Sequence, residues 1–468
     1  MKSKILLAAA VSVALLAGCS DDDDETINNY FPGTATEVTI ASFNVSFDRF
    51  TYKDLEDEMS LTVAEQDALI AKWDENMLGD SDPDHVKAEK IIQIRNIATI
   101  IQKQRPAILL LAEFNNDGTG EDMTAIDGFR TNYLSIGQKF EGERLEPIMF
   151  PYAQSYSTNT GLQSGMDLDN DGKANTAGDG WGFGEYHGRY AFGLLSRYVI
   201  DTENTRTFQK FLWKDMPGEV NIDINCDPTT PPDQWDDRKW CTEPDATTWY
   251  NDDEWNVMRL SSKNHVDVPI TIPVIDGEET VHLLLSHPTP PVFDKEEEAP
   301  FNKDRNRAEI AFWSDYISGN SNYMTDDNGM AGGLAHGERF VVMGDLNADP
   351  ENGDGHPEGI SDLLNHPQVN QAATTGAFIP RSFGGPDCYQ TGECDRPNTD
   401  PSSITNDFGL RVDYVMPSMG LNVVDSGIFW PATHEPGRHL VNDELLGNYG
   451  DGKDVSSDHR MVWVKVQL

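Results

Sequence analysis

Six short apolar runs, spread along almost the whole chain, are each bounded by a polar residue of the kind that does chemistry. Ser42-Phe43-Asn44 closes the first run, and Leu111-Ala112-Glu113-Phe114 puts an acid at the end of the second. Ser286-His287-Pro288-Thr289-Pro290 follows Leu283, Leu284 and Leu285. Gly344-Asp345-Leu346-Asn347 follows Val341-Val342-Met343, and Arg411-Val412-Asp413-Tyr414 and Ser457-Asp458-His459 complete the set. An isolated Asp or His at a strand end is usually a cap or a surface group. Six such endings, each delivering Asn, Asp, Glu or His, exceed what capping explains. Side chains at neighbouring strand ends converge on one rim of a sheet, which is where α/β proteins build their sites.

The periodicity between these endings alternates strands with helices. Strands are expected over Glu37–Phe47, Ala107–Phe114, Tyr190–Ile200, Val266–Ile275, Val281–His287, Phe340–Gly344, Gly409–Met416 and Met461–Val466. Helices are expected over His85–Gln104, with Ile94, Ile97 and Ile101 on one face and Pro106 beyond its end, and over Arg307–Ile317, with Ile310, Trp313 and Ile317 aligned. Strands with helices interspersed predict a layered α/β architecture. Apolar content is only 38%, but 20 Phe, 14 Tyr and ten Trp supply a sizeable core. Three stretches read as insertions: 49–83, 208–256 and 384–405. The second carries Trp213, Trp235, Trp240, Trp249 and Trp255. It is expected to pack a small core of its own rather than to form an aromatic platform over a cleft. No linker divides 37–468, so one domain is expected.

The N-terminus reads as a targeting segment. Lys2 and Lys4 precede an apolar run, Ile5–Leu16, too short for a comfortable membrane span. Leu16-Ala17-Gly18-Cys19 resembles a bacterial lipobox, which makes 1–18 a signal peptide and Cys19 the lipidated residue; an ordinary secretory signal with an incidental Cys19 is the alternative. Asp21 to Asp24 open an acidic tether over 19–36. Ser20 after the Cys suits outer-membrane or surface sorting, so an exported, lipid-anchored protein of the bacterial cell envelope is expected. Of the five Cys, four follow Cys19. Local spacing pairs Cys226 with Cys241 and Cys388 with Cys394 as disulfides, in keeping with an oxidising compartment. Neither pair has the spacing of a zinc ribbon.

The ordered set Asn44, Glu113, His287, Asp345-Leu346-Asn347, Asp413 and Ser457-Asp458-His459 resembles the endonuclease/exonuclease/phosphatase superfamily. The stretches Gly188-Arg189-Tyr190-Ala191-Phe192 and His287-Pro288-Thr289-Pro290 resemble a bacterial secreted branch of it. The resemblance implies a four-layer α/β/β/α sandwich: two packed mixed sheets with helices outside. It also implies a divalent-metal-dependent phosphoesterase that hydrolyses phosphate esters by activated-water attack. Such esters resist water because their oxygens are negative and their leaving group is poor, and a divalent metal answers both. By the resemblance Glu113 is the principal ligand of Mg²⁺ (or Mn²⁺), with Asn44 and Asp458 beside it. His459 is the general base, Asp413 orients it, Asp345 and Asn347 orient water and bind phosphate oxygen, and His287 stabilises the phosphate or the leaving oxygen. Tyr186 is a candidate phosphate contact in competition with His187, and His265 a candidate cleft residue; packing is the plainer reading of each.

Asp167-Leu168-Asp169-Asn170-Asp171-Gly172 is a separate signal. Alternating Asp followed by Gly resembles the first half of a calcium loop, and Asp167, Asp169 and Asp171 are expected to hold a structural Ca²⁺. Position twelve of the loop is Gly178, with Asp179 next to it; a solvated acidic turn is the alternative.

Charge narrows the function. The chain has 79 Asp plus Glu against 35 Lys plus Arg, a net charge of −44. That disfavours unaided adhesion to polyanions. Nucleic acid is therefore expected only as a substrate, the membrane only through the lipid anchor, and no protein partner is predicted. The alternatives are a secreted nuclease acting on DNA or RNA and a binding lipoprotein that kept the fold without catalysis. The intact set of charged residues counts against the second.

Overall fold

The computed structural model describes residues 34–79, 81–224, 247–294, 300–319, 321–394, 396, 398–443, 446 and 452–468. Cys19, Cys226, Cys241, Trp235 and Trp240 lie outside them. Among the described residues eleven strands form the main paths of two mixed sheets, and a short strand at Arg206–Thr207 pairs beside the second. The eleven are β1 (Glu37–Phe47), β2 (Ile108–Phe114), β3 (Tyr152–Ser155), β4 (Phe192–Ser196), β5 (Val199–Ile200), β6 (His265–Val274), β7 (Gly277–Ser286), β8 (Arg339–Asp345), β9 (Asp413–Pro417), β10 (Asn422–Ile428) and β11 (Val462–Gln467). The first sheet runs β10-β11-β1-β2-β4-β3 and the second β9-β8-β7-β6-β5.

Register carries the strand-end residues to one rim. β1 and β2 are parallel with Asn44 opposite Ala112, so Glu113 stands one residue past Asn44. β11 runs antiparallel to β1 with Val462 opposite Ser42, which brings 457–459 to the same end. In the second sheet β7 and β8 are parallel, and Asp345 faces Asp413 across the antiparallel pair β8 and β9.

The layers follow from side-chain alternation. On β7, Leu283 and Leu285 enter the main core with Val341, Met343, Val266, Val268 and Ile270. Leu284 and Val342 face the other way, into a second core with Ile310 and Trp313. A strand buried on both faces needs apolar residues at successive positions, which is why these runs read as unbroken. Three helices flank the first sheet: α1 (Tyr52–Met59), α2 (Val63–Asp74) and α3 (Pro83–Gln104). α1 and α2 start with capping boxes at Thr51 and Thr62. α4 (Phe301–Ser318) and α5 (Pro357–Leu364) cover the second sheet. The result is the expected arrangement of two sheets between helices.

Several boundaries and packings differ from expectation. α4 begins six residues before the expected start at Arg307, because its first turns present Arg305 and Asn306, polar residues that are nevertheless buried. The strand expected over Tyr190–Ile200 starts at Phe192 and breaks after Ser196, and Tyr190 has φ +60°. The described part of 208–256 makes no core of its own. Phe208, Phe211, Trp213 and Trp249 are buried in the second core with α4, and Trp249 stacks on Phe301 at 4.6 Å. Buried indoles form no platform over a cleft. The stretch 384–405, read as an insertion, contains α6 (Gly384–Thr391), and the Cys388–Cys394 disulfide joins it to the loop behind it, with Cα atoms 5.3 Å apart.

Candidate active site

The rim residues make one connected network. Asn44 Nδ2 donates to Asp345 Oδ2 (3.1 Å), which joins the two sheets at the base of the cleft. Asp345 Oδ1 accepts the Asn347 amide (2.9 Å). Its Oδ2 lies 3.6 Å from His287 Nε2 and 3.7 Å from His459 Nε2. His459 Nδ1 lies 2.8 Å from Asp413 Oδ2, and the His459 amide donates to Ser457 Oγ (3.0 Å). Ser457 Oγ donates to the Asn44 carbonyl (2.6 Å), and Ser46 Oγ donates to Asp458 Oδ1 (2.6 Å). Asn347 Nδ2 donates to the Pro288 carbonyl (3.2 Å). Asn44, Glu113, His287, Asp345, Asn347, Asp413, Asp458 and His459, six endings distant in sequence, thus share one site.

Four residues of the site have left-handed backbones. Ser46, Glu113, Tyr190 and Asn347 adopt φ between +50° and +60°. Such left-handed conformations cost non-glycine residues about 1–3 kcal/mol each and cluster where geometry serves function. At Glu113 the turn comes on the last but one residue of β2. Gly188 makes the neighbouring loop possible: at φ +108°, a Cβ would lie 2.0 Å from the Asn116 carbonyl oxygen.

The electrostatics favour a cation. Burial, then Asp458 and Asp48, push the Glu113 carboxyl up to about 8, against the pull of His459 and a hydrogen bond from Asn44. Asp458 behaves oppositely. Burial works against its charge, but His459, the Ser46 hydroxyl and Lys453 hold it below the ordinary carboxylate value. Burial pushes Asp413 up to about 6. Burial also disfavours charge on His459, yet Asp413 and Asp345 outweigh it and raise that imidazole well above its ordinary value. His287 is held well below its ordinary value by burial, then by the positive charges of Lys263 and His459.

A hard divalent cation fits this donor set. Glu113 and Asp458 offer carboxylate oxygen, the chemistry that Mg²⁺ takes, and Asn44 offers its Oδ1, which already accepts the Ser46 amide (3.1 Å). A carboxyl raised by its acidic neighbours is one whose ionised form a cation would restore. Ligand atoms of Asp345, Asp413 and His459 also lie within 4.8 Å of one another, a second grouping compatible with a metal.

Other expected site residues are placed differently. The Tyr186 hydroxyl donates to the Arg49 carbonyl (3.0 Å) and accepts from Asn115 Nδ2. His187 is committed to packing, with Nε2 2.9 Å from the Thr158 carbonyl and its ring against Gly118. His265 is buried, its Nε2 2.8 Å from the Glu309 carbonyl and its ring between Phe312 and Trp313. That arrangement holds β6 to α4 and leaves the ring no path to a substrate.

In the acidic loop, the mutually close carboxylates are Asp167, Asp169 and Asp179. Asp171 is not among them: its Oδ1 accepts the Lys173 amide (2.8 Å). Asp179, buried and accepting from the Leu168 and Thr176 amides, stands in the expected place of Asp171.

Residues without a sequence signal also serve the site. Asn115 joins the Arg49 carbonyl, the Tyr186 hydroxyl and the Tyr190 amide. Arg49 is buried and held by Glu58 (2.7 Å) and Gln93 (2.8 Å). Asp407 is buried beside Asp458, whose carbonyl accepts its amide, and burial first and Asp458 after it push its carboxyl up to about 6. Asn115 follows the Glu113 strand end and was within reach of the motif argument; the others depend on packing.

No curated protein sequence matches the chain. Among solved structures it is similar to an endonuclease/exonuclease/phosphatase from Beutenbergia cavernae (11% identity, 93% of this chain and 72% of that one, TM-score 0.40). It is similar also to the endonuclease/exonuclease/phosphatase from Bacteroides vulgatus (11% identity, 93% and 100%, TM-score 0.40) and to a truncated TDP2 from Caenorhabditis elegans (12% identity, 93% and 99%, TM-score 0.35). The family model described as Endonuclease/Exonuclease/phosphatase family matches residues 41–459, which contain every strand-end residue of the cleft from Asn44 to His459. The chain belongs to the endonuclease/exonuclease/phosphatase family, which acts on phosphate-ester or nucleic-acid substrates.

Proposed function

We propose that this chain is a phosphoesterase dependent on Mg²⁺ or Mn²⁺, exported and anchored in the bacterial cell envelope through Cys19. The observation that carries the catalytic part is the unbroken line from Asp413 through His459 to Asp345 and Asn44, with Glu113 beside it. Glu113, Asn44 and Asp458 would hold the cation. A bound divalent cation supplies charge neutralisation to the phosphate oxygens and the leaving group.

The chain's own residues divide the rest. His459 Nδ1 is committed to Asp413, so Nε2 is the nitrogen that would take a proton from the attacking water, once a bound cation offsets the carboxylates that raise this imidazole. Asp413 fixes the tautomer and stabilises the imidazolium that forms. Asp345 lies within 4 Å of both His459 and His287 and orients the water between them. The Asn347 amide side chain and His287 Nε2 offer hydrogen bonds to phosphate oxygen. A His287 held neutral donates without adding a positive charge of its own.

The anchor is the second part of the reading. β1 enters at Glu37, and Ala35 pairs with Pro273 at the end of β6 remote from His265. The tether therefore joins the fold at the pole opposite the cleft, roughly 30 Å away along a strand rising about 3.3 Å per residue. An anchored chain would then present its cleft to the medium. The cluster of Asp167, Asp169 and Asp179 is assigned to a structural Ca²⁺, which would relieve the repulsion of three neighbouring carboxylates.

The test is turnover of bis-p-nitrophenyl phosphate, p-nitrophenyl phosphate, DNA and phospholipid vesicles by the purified chain, with Mg²⁺ and with EDTA. Hydrolysis of at least one substrate, abolished by EDTA and restored by Mg²⁺, is expected. A folded chain that binds Mg²⁺ and turns over none of them would leave the binding lipoprotein as the reading. For the anchor, Cys19→Ser should move the chain from the detergent phase to the aqueous phase; equal partition of the two forms refutes lipidation.

A further inference from the structure

The phosphate side of the cleft rests on a buried ammonium that neither the motifs nor the reaction scheme uses. Lys263 lies in the loop before β6 and is 5% exposed. Its Nζ donates to the Pro288 carbonyl (3.3 Å), the same oxygen that accepts Asn347 Nδ2 (3.2 Å). Pro288 follows His287 directly. One carbonyl thus joins the backbone of His287, the side chain of Asn347 and a lysine from the loop before β6.

α4 holds both halves of that junction. Glu309, fully buried, accepts the Ser262 amide through Oε1 (2.6 Å) and the Thr289 amide through Oε2 (2.6 Å). Those amides belong to the residue before Lys263 and the residue after Pro288. Asn306 Nδ2 donates to the Thr289 and Leu346 carbonyls (2.8 and 3.0 Å), and Trp313 Nε1 donates to Ser286 Oγ (2.8 Å). One helix therefore grips residues 286, 289, 262 and 346, while Lys263 spans the gap between them. The acids whose charge reaches Lys263 are Glu309, Glu113 and Asp345, against Arg305. An ammonium taken out of water is expensive unless a specific geometry uses it.

We propose that Lys263 is a positioning residue of the hydrolytic site: its ammonium fixes the Pro288 carbonyl, and through it sets His287 and Asn347 against Asp345. The inference rests on the phosphoesterase reading for its kinetic readout but not for its structural one. Lys263→Met removes the donor at similar volume, and Lys263→Gln keeps a polar group that falls one bond short of Pro288. Lys263→Arg keeps charge and donors.

The expected result with bis-p-nitrophenyl phosphate is a ten- to hundredfold loss of kcat in the Met and Gln variants. KM and the Mg²⁺ concentration for half-activation should move less than threefold, and the Arg variant should keep more of kcat than either. In the metal-free protein, the imidazole ¹⁵N signals of His287, assigned with His287→Gln, should shift in the Met and Gln variants and less in the Arg variant. Two results would overturn the proposal: a folded Met or Gln variant with kcat within threefold of the parent, or His287 signals that do not move. If the parent turns over no ester, the phosphoesterase reading fails, and the His287 signals alone decide the role of Lys263. If the Met variant does not fold, the Gln variant carries the same two readouts.

Discussion

Replacing Asp413 by Asn separates the orientation of His459 from everything else at the site. The Asp413 Oδ2 to His459 Nδ1 distance is 2.8 Å, and both side chains are buried. A charge-assisted hydrogen bond of this kind contributes about 1.5–3 kcal/mol. As the base takes its proton, that contribution goes to the imidazolium, and each ~1.4 kcal/mol is tenfold in rate. The kinetic loss is then roughly 10- to 150-fold in kcat. Asp345, 3.7 Å from Nε2, still faces the cation, so Asp413→Asn should retain more activity than His459→Ala. His459→Ala loses proton transfer altogether, an effect of about 10²–10⁴. Stability should change less than activity, although His459 loses the carboxylate that supports its protonated form. Burial already opposes the ionised Asp413, Asn has the same shape, and the Thr405 Oγ1 that accepts the Asp413 amide is untouched. A shift in Tm of about 2 °C or less corresponds to roughly 1 kcal/mol in a domain of this size. The assay is steady-state hydrolysis of bis-p-nitrophenyl phosphate across Mg²⁺ concentrations, paired with thermal melts. A folded Asp413→Asn protein with kcat within threefold of the parent would refute the reasoning. So would a variant whose rate loss is matched by a collapse in Tm.

Glu113→Ala should differ in kind: its lost activity should be partly restored at high Mg²⁺, because it removes a ligand rather than a proton carrier, and a defect independent of metal concentration would count against that role. Asp179→Asn should lower Tm in Ca²⁺ while leaving the Tm in EDTA nearly unchanged, whereas equal melting of variant and parent in Ca²⁺ would remove the structural ion. His282 provides a pH test far from the cleft. Burial disfavours its charge, but the hydrogen bond to Asp267 (2.7 Å) and that carboxylate's charge raise it above its ordinary value. A raised imidazole contributes its stability below the unfolded value near 6.5 and loses it as pH rises through the folded value. His282→Gln should therefore lower Tm more at pH 5.5 than at pH 9, and an equal loss at both would show that the pair is not protonated.

The strand endings were legible because the side-chain period of a strand is two and its register is set by the apolar pattern. Asn44, Glu113, Asp345, Asp413 and His459 each stand at a run whose burial is written in Ile, Leu, Val and Met. The parallel and antiparallel pairings of those runs in the two sheets then bring these ends together. The same pattern also indicated α3 to within two residues, because a stripe of Ile is a local property. Lys263, Glu309 and Arg49 were not legible. Each looks like a surface charge in a linear chain, and each became part of the site when a helix or loop distant in sequence closed over it and supplied hydrogen bonds. His265 shows the opposite case: its position near a strand end made it a candidate for the cleft, but α4 takes its nitrogen and the plainer packing reading holds.

The acidic loop divides the same way. Its composition could announce a cation site, since alternating Asp and a Gly turn are local. Which three carboxylates come within 4.8 Å was decided by the fold of 167–180, where Asp179 is drawn inward by the Leu168 and Thr176 amides and Asp171 turns out to Lys173. Sequence by itself determined the chemistry at the strand ends, because pairing pattern and residue type are both local. Only tertiary structure decided which buried charges support that chemistry, because a buried charge is tolerated only where distant parts of the chain satisfy it.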